Sequence, residues 1–99
     1  MDLRSEKIVV YKGEWKNGIL ISGNIKNENF KFKGTFVNGI AEGPGAIKFF
    51  KTNALYKGTF RDGKYNTKGA RAIYKTEDYI YQGEFLDGKK EGNGILTEN

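Results

Sequence analysis

The chain has no cysteine and no histidine among its 99 residues, and only one proline, one methionine and one tryptophan. Without cysteine there is neither a disulfide framework nor a zinc-thiolate site. Without histidine the commonest general base and metal ligand is missing as well. A small chain that needs no disulfide fits a reducing compartment, and the expectation is a cytoplasmic protein. Long apolar runs are also lacking. The run Ile8-Val9-Val10 near the start is far too short for a signal-peptide core or a membrane-spanning helix.

Hydrophobic residues make up only 37% of the chain, so one domain spanning residues 1–99 with a thin core is expected. What is present in quantity is aromatic: seven Phe and six Tyr beside the tryptophan. Each buried ring removes far more surface from water than an aliphatic side chain, so few of them can hold a small fold together. The formal charge of +5 is spread over both halves rather than gathered in a tail, which suits a solvated polar face as well as an anionic partner.

Four segments fall into register: "YKGEWKNG" from Tyr11, "FKGTFVNG" from Phe32, "YKGTFRDG" from Tyr56 and "YQGEFLDG" from Tyr81. Each has an aromatic, a glycine two residues on, a second aromatic two further, then Asn-Gly or Asp-Gly, at successive offsets of 21, 24 and 25 residues. Farther along, Gly43 and Gly45 in the second segment match Gly92 and Gly94 in the fourth. The third keeps Gly69 but has Thr67 in the other place, and the first keeps neither in register. Residues at i, i+2 and i+4 share one face of a strand, so each segment puts its two rings and its glycine on one side and polar residues on the other. Asn-Gly and Asp-Gly are the strongest short-range hairpin signals. Four β-hairpins follow, with return strands through "GILISGNI", "GPGAIKFF", "GARAIYK" and "GNGILTEN". No helical periodicity exceeds one turn. The expectation is an all-β, single-layer antiparallel sheet in which rings of flanking strands lie across Gly13, Gly34, Gly58 and Gly83.

The pattern Y-x-G-x-W/F-x-x-G-x-x-x-G-x-G resembles the MORN (membrane occupation and recognition nexus) repeat, with complete copies at Phe32 to Gly45 and Tyr81 to Gly94. The resemblance implies an elongated solenoid of stacked hairpins with a groove on one side, whose eight strands would span roughly 38 Å. It also implies a cytoskeletal or membrane-associated setting. "SEKIVVY" is expected to add a pairing segment, and "ILTEN" to leave an edge strand at the other end.

Enzymatic chemistry finds little support. Asp62 and Asp87 are turn residues, Glu14 and Glu84 lie on the polar face, and the Gly-x-Gly pairs lack the third glycine or Gly-Lys-Ser/Thr of a phosphate loop. A non-enzyme without cofactor or metal is expected, acting as an interaction or scaffold module in a larger assembly. Its partner would be another protein, as a peptide or helix in a groove formed by Tyr11, Trp15, Phe32, Phe36, Tyr56, Phe60, Tyr81 and Phe85, or docked at an edge, a second copy included. The alternative is an anionic lipid surface meeting Lys12, Lys33 and Lys57, which recur at one repeat position where the fourth copy has Gln82. Nucleic-acid binding ranks last, since no recognition motif accompanies the alternating Lys and aromatics.

Overall fold

A computed structural model describes residues 7–99 and, within them, all side chains except those of Val10, Tyr11 and residues 69–71. The elements are strands only: β1 (Val9–Lys16), β2 (Ile19–Lys26), β3 (Phe30–Val37), β4 (Ile40–Phe49), β5 (Leu55–Arg61), β6 (Lys64–Tyr65), β7 (Thr67–Lys75), β8 (Tyr79–Leu86) and β9 (Lys89–Glu98). They form one antiparallel sheet in the order β1-β2-β3-β4-β5-β7-β8-β9, with β6 paired to β5. The sheet is open, and its longest extent is 43 Å. Ser5 and Glu6 of the expected additional pairing segment lie outside the described residues; β1 takes up Val9 and Val10.

Each hairpin turns as its dipeptide dictates. Asn17, Asn38, Asp62 and Asp87 have φ of 51°, 51°, 52° and 50°, and the glycine after each is also left-handed. Positive φ at both central residues is the type I′ turn, whose twist matches that of the flanking strands. The bridges between hairpins are closed by polar side chains. Asn27 Oδ1 accepts from the amides of Asn29 and Phe30 at 2.8 and 3.0 Å. Thr76 Oγ1 accepts from those of Asp78 and Tyr79 at 3.2 and 3.1 Å. These local bonds offer the backbone a turn in place of a continued strand.

The third hairpin departs from the expected pattern. Its return strand is broken at Asn66 into β6 and β7, with a bulge between Thr67 and Ala72. Among the described residues this gives nine strands rather than eight. Thr67 is the buried residue here: its hydroxyl bonds with Tyr56 Oη at 2.7 Å and accepts from the Thr59 amide at 3.1 Å. A hydroxyl bonded both to a buried phenol and to a strand amide anchors the strand where the second and fourth repeats place glycine.

The core lies on one face. Buried there are Leu20, Ile25, Phe30, Phe32, Phe36, Ala41, Ile47, Tyr56, Phe60, Ala72, Tyr81 and Phe85. Cross-strand pairing lines up Ile25, Phe32, Ile47, Tyr56, Tyr74, Tyr81 and Leu96 in one row. Beside it runs a row of nearly bare backbone, Gly13, Gly23, Gly34, Gly45 and Gly58, then Ala72, Gly83 and Gly94. At Gly34, Gly58 and Gly83 a ring does lie over this row, but it comes from the glycine's own strand rather than from a flanking one, and in the second and fourth hairpins the same ring also reaches the glycine opposite on the return strand. A Cβ on Gly34 would meet Phe32 Cζ at 2.6 Å, and one on Gly45, opposite it, would meet the same atom at 3.1 Å. Tyr81 covers Gly83 and Gly94 in the same way. A ring two residues before its glycine folds forward along the strand and fills the slot across the hairpin.

Gly34→Ala therefore lowers unfolding stability by about 2 kcal/mol, as overpacking of a filled slot does, whereas Lys33→Ala on the opposite face changes it by less than about 0.5 kcal/mol. Urea unfolding of both variants measures the difference.

Candidate functional site

In the second, third and fourth repeats the two rings are in contact, tilted in the second and edge to face in the third and fourth, and edge-to-face contacts join these repeats to one another. Phe32 and Phe36 have centroids 5.2 Å apart, and Phe32 meets Phe60 of the next repeat at 5.2 Å and 79°. Tyr56 meets its own Phe60 and the following Phe85, both at 5.2 Å, and Tyr81 meets Phe85 at 5.3 Å. The order Phe36, Phe32, Phe60, Tyr56, Phe85, Tyr81 is thus one unbroken zigzag. Such T-shaped pairs set the positive edge of one ring against the negative face of the next.

The six rings expected to line a partner groove, Phe32, Phe36, Tyr56, Phe60, Tyr81 and Phe85, are all buried in this ladder, Tyr56 completely at 0% exposure. Of the remaining two, the Tyr11 side chain lies outside the described residues, and Trp15 is 57% exposed. The rings that reach the surface of this face are others: Tyr65, Tyr74 and Tyr79 are half-buried. Tyr65 stacks on Tyr56 at 3.9 Å and 7°. Lys90 Nζ sits 4.7 Å above the Tyr79 ring and 5.7 and 5.6 Å from those of Tyr74 and Tyr81, and donates to Tyr79 Oη at 3.1 Å. Sequence reading missed this cluster because Tyr65, Tyr74 and Tyr79 lie outside the repeated octet.

On the other face, Lys12, Lys33 and Lys57 are exposed and belong to one cross-strand row, spaced by Asn24 and Ala46. A second basic row lies next to it. Lys26 is opposite Lys31, Lys31 opposite Lys48, and Leu55 separates Lys48 from Lys75. Between the rows is a cleft of about 330 Å³ floored by Ala46 and Leu55 and flanked by Lys31, Lys33 and Lys48. Like charges set directly opposite repel, so this part of the sheet favours anions.

A third surface gathers at the turn ends of the first two hairpins. Ile19, Ile21 and Val37 are exposed there around a cleft of about 290 Å³ that also touches Lys16, Asn17 and Asn38. Ile21 is the extra residue of the β1–β2 bulge, where Glu14 pairs Ser22 and Trp15 pairs Leu20.

The sequence model of one family, the MORN repeat, matches residues 11–20, 32–49, 56–69 and 81–97, more than half of the chain. The chain belongs to the MORN repeat family. No curated protein matches it. The matched stretches start on the leading aromatic of each hairpin and run through the turn, so the MORN repeat is here one ring pair, its glycine slot and a type I′ turn. The first match stops at Leu20, where the bulge takes over from the regular return strand. MORN repeats serve generally as non-catalytic modules for protein or membrane interaction. Among the described residues no helix is long and apolar enough to cross a membrane.

Burial pushes the Tyr65 hydroxyl up to about 12, and repulsion from Tyr74 and Tyr56 adds to it. Burial also raises Tyr56, against the opposing pull of its bond with Thr67. A phenol near 10 in the unfolded chain and near 12 in the fold contributes stability in full below pH 10 and loses it as pH rises to 12. Tyr65→Phe thus flattens the fall of unfolding stability between pH 10 and pH 12, read by denaturant titrations across that window and by tyrosinate absorbance.

Proposed function

We propose that the chain is a protein-interaction module, a small structural or adaptor subunit whose partner contacts lie on the turn ends and outer face rather than among the ladder rings. The observation that carries this reading is the patch of Ile19, Ile21 and Val37 around its cleft. Apolar side chains held on a rigid sheet and left to water mark a surface that another protein covers. The core gains nothing from them: Ile19 and Val37 lie on the polar face, and Ile21 is thrown out by the bulge. A peptide or helix with an apolar stripe fits such a cleft, with Lys16 favouring acidic flanks. A cytosolic position beside cytoskeleton or membrane suits an adaptor of this kind.

The paired lysine rows favour a second reading, contact with anionic phospholipid head groups. Lys31 and Lys48 are set directly against each other on neighbouring strands, and an anion in the adjoining cleft relieves their repulsion. Lysines at a membrane surface contribute about 1 kcal/mol each, so the row acts as a peripheral contact without an embedded anchor.

Affinity capture from native extract with the tagged chain tests the first reading. Ile21→Asp with Val37→Asp abolishes recovery of the partner while the far-UV spectrum stays that of a sheet; unchanged recovery rules out the turn-end patch. Flotation with phosphatidylserine vesicles tests the second. Lys31→Glu with Lys33→Glu lowers vesicle binding at least about ten-fold and flattens its salt dependence, and binding insensitive to both rules out the lysine rows.

A further inference from the structure

The two ends of the sheet are complementary halves of the junction that joins its own repeats. Two contacts make that junction both between the second and third repeats and between the third and fourth, and a third joins them between the second and third. The leading ring of one repeat meets the second ring of the next across the intervening strand, as Phe32 meets Phe60 and Tyr56 meets Phe85. The turn glycine of the later hairpin donates its N–H to the carbonyl of the residue two past the earlier turn glycine: Gly63 to Ala41 at 3.0 Å and Gly88 to Tyr65 at 2.9 Å. Glu42 Oε2 accepts from the Asp62 amide at 2.8 Å.

At the β9 end each earlier half is present. Tyr81 is a leading ring, Lys90 stands where Ala41 and Tyr65 stand, and Glu91 stands where Glu42 does. At the β1 end each later half is present: Trp15 is a second ring, Asn17 stands where Asp62 does, and Gly18 where Gly63 and Gly88 do. Among the described residues no strand lies beyond either end. Exposure registers what is missing. Trp15 is 57% exposed where Phe60 is buried, and Leu96 is 50% exposed where its counterpart Ile47 is 5% exposed.

We propose that the chain stacks head to tail on a second copy of itself, β1 of one copy pairing antiparallel with β9 of the other in the register of β5 on β4. Eight strands lie on the path from β1 to β9 in strict antiparallel alternation, so β1 of a following copy runs in the sense that β9 requires. Gly45 opposite Gly58 and Ala46 opposite Lys57 within the chain become Gly94 opposite Gly13 and Ile95 opposite Lys12 between copies. The indole of Trp15 then crosses β9 to the Tyr81 ring, extending the zigzag, and Gly18 donates to the Lys90 carbonyl. Glu91 comes to lie opposite Lys16, the charge pattern of Glu42 and Arg61 one step beyond Gly43 and Phe60. A charge on the core face of an edge strand ordinarily blocks such pairing. The Lys90 ammonium, however, is held over Tyr74, Tyr79 and Tyr81 of β7 and β8, turned back from the free edge. Because the contact is heterologous and does not close, it propagates into a filament of repeats.

The inference deepens the interaction-module reading by naming the partner at the sheet's ends. It is tested on the purified chain alone, so its failure leaves capture of another protein at the turn-end patch untouched. Sedimentation velocity over a range of concentrations is expected to give an average mass that keeps rising past twice the chain mass. Trp15→Ala raises the concentration of half-assembly at least about ten-fold, as loss of an aromatic anchor does. Glu91→Lys and Lys16→Glu each raise it about three-fold, and the double variant restores it, since opposite charges across strands attract and like charges repel. A chain that stays monomeric at every concentration overturns the proposal. So does a plateau at two copies, or assembly indifferent both to Trp15→Ala and to the charge exchange.

Discussion

A single-layer sheet has no second layer to cover its apolar face, and the ring lying over a strip of backbone without side chains is how this one makes a core. The slot formed by Gly34 and Gly45 lets Phe32 lie down along its own strand, which brings its edge within reach of the ring of the next repeat. Upright rings would stand apart as a comb open to water. Laid over, they shield one another. Tyr56 reaches 0% exposure in a one-layer structure because Tyr65 stacks on it at 3.9 Å while Phe60 and Phe85 present their edges at 5.2 Å. The same need explains the composition: a core one ring deep relies on rings, with Leu20, Ile25 and Ile47 buried among them.

Features set by residues close together in the chain were legible before any coordinates. The hairpins follow from Asn-Gly and Asp-Gly, and the sided strands from the two-residue period. The slot was legible as a slot, but not which strand supplies its ring, since that depends on whether a side chain leans forward or sideways. The break in the third return strand was written as Thr67 in a glycine's place, yet its meaning was hidden. A hydroxyl reads as decay of a glycine motif until Tyr56 Oη is found 2.7 Å away. The row of Lys26, Lys31, Lys48 and Lys75 left no periodic trace, because each residue belongs to a different strand position and unequal connections of the hairpins scatter their spacing.

Using the rings for the core constrains what the surface can do. Aromatics that a sequence reading assigns to a groove are unavailable once the zigzag is closed, so recognition passes to residues the ladder leaves out. These are the turn-end aliphatics, the lysine rows and the half-buried tyrosines around Lys90. All three lie on a frame whose backbone is pinned by type I′ turns and by the bonds from Gly63 and Gly88 to the preceding repeat. A rigid frame holds such side chains in place before a partner arrives, which reduces the ordering that binding must pay for.

Coupling between repeats runs only through neighbours, so stability is greatest in the middle and least at the two ends. Tyr56, at the junction of the third repeat with both its neighbours, is fully enclosed, whereas every residue of β9 is exposed. The terminal strands therefore open most readily, and they carry the unmatched halves of the repeat junction. Whatever pairs with them converts an end repeat into an interior one. Its leading ring then gains an edge to cover it, its Gly-x-Gly strand gains a second ladder, and the gain in local stability is linked to the concentration of the partner. A structure that depends on each ring being covered by the next thus has its strongest reason to associate at the places where the next ring is missing.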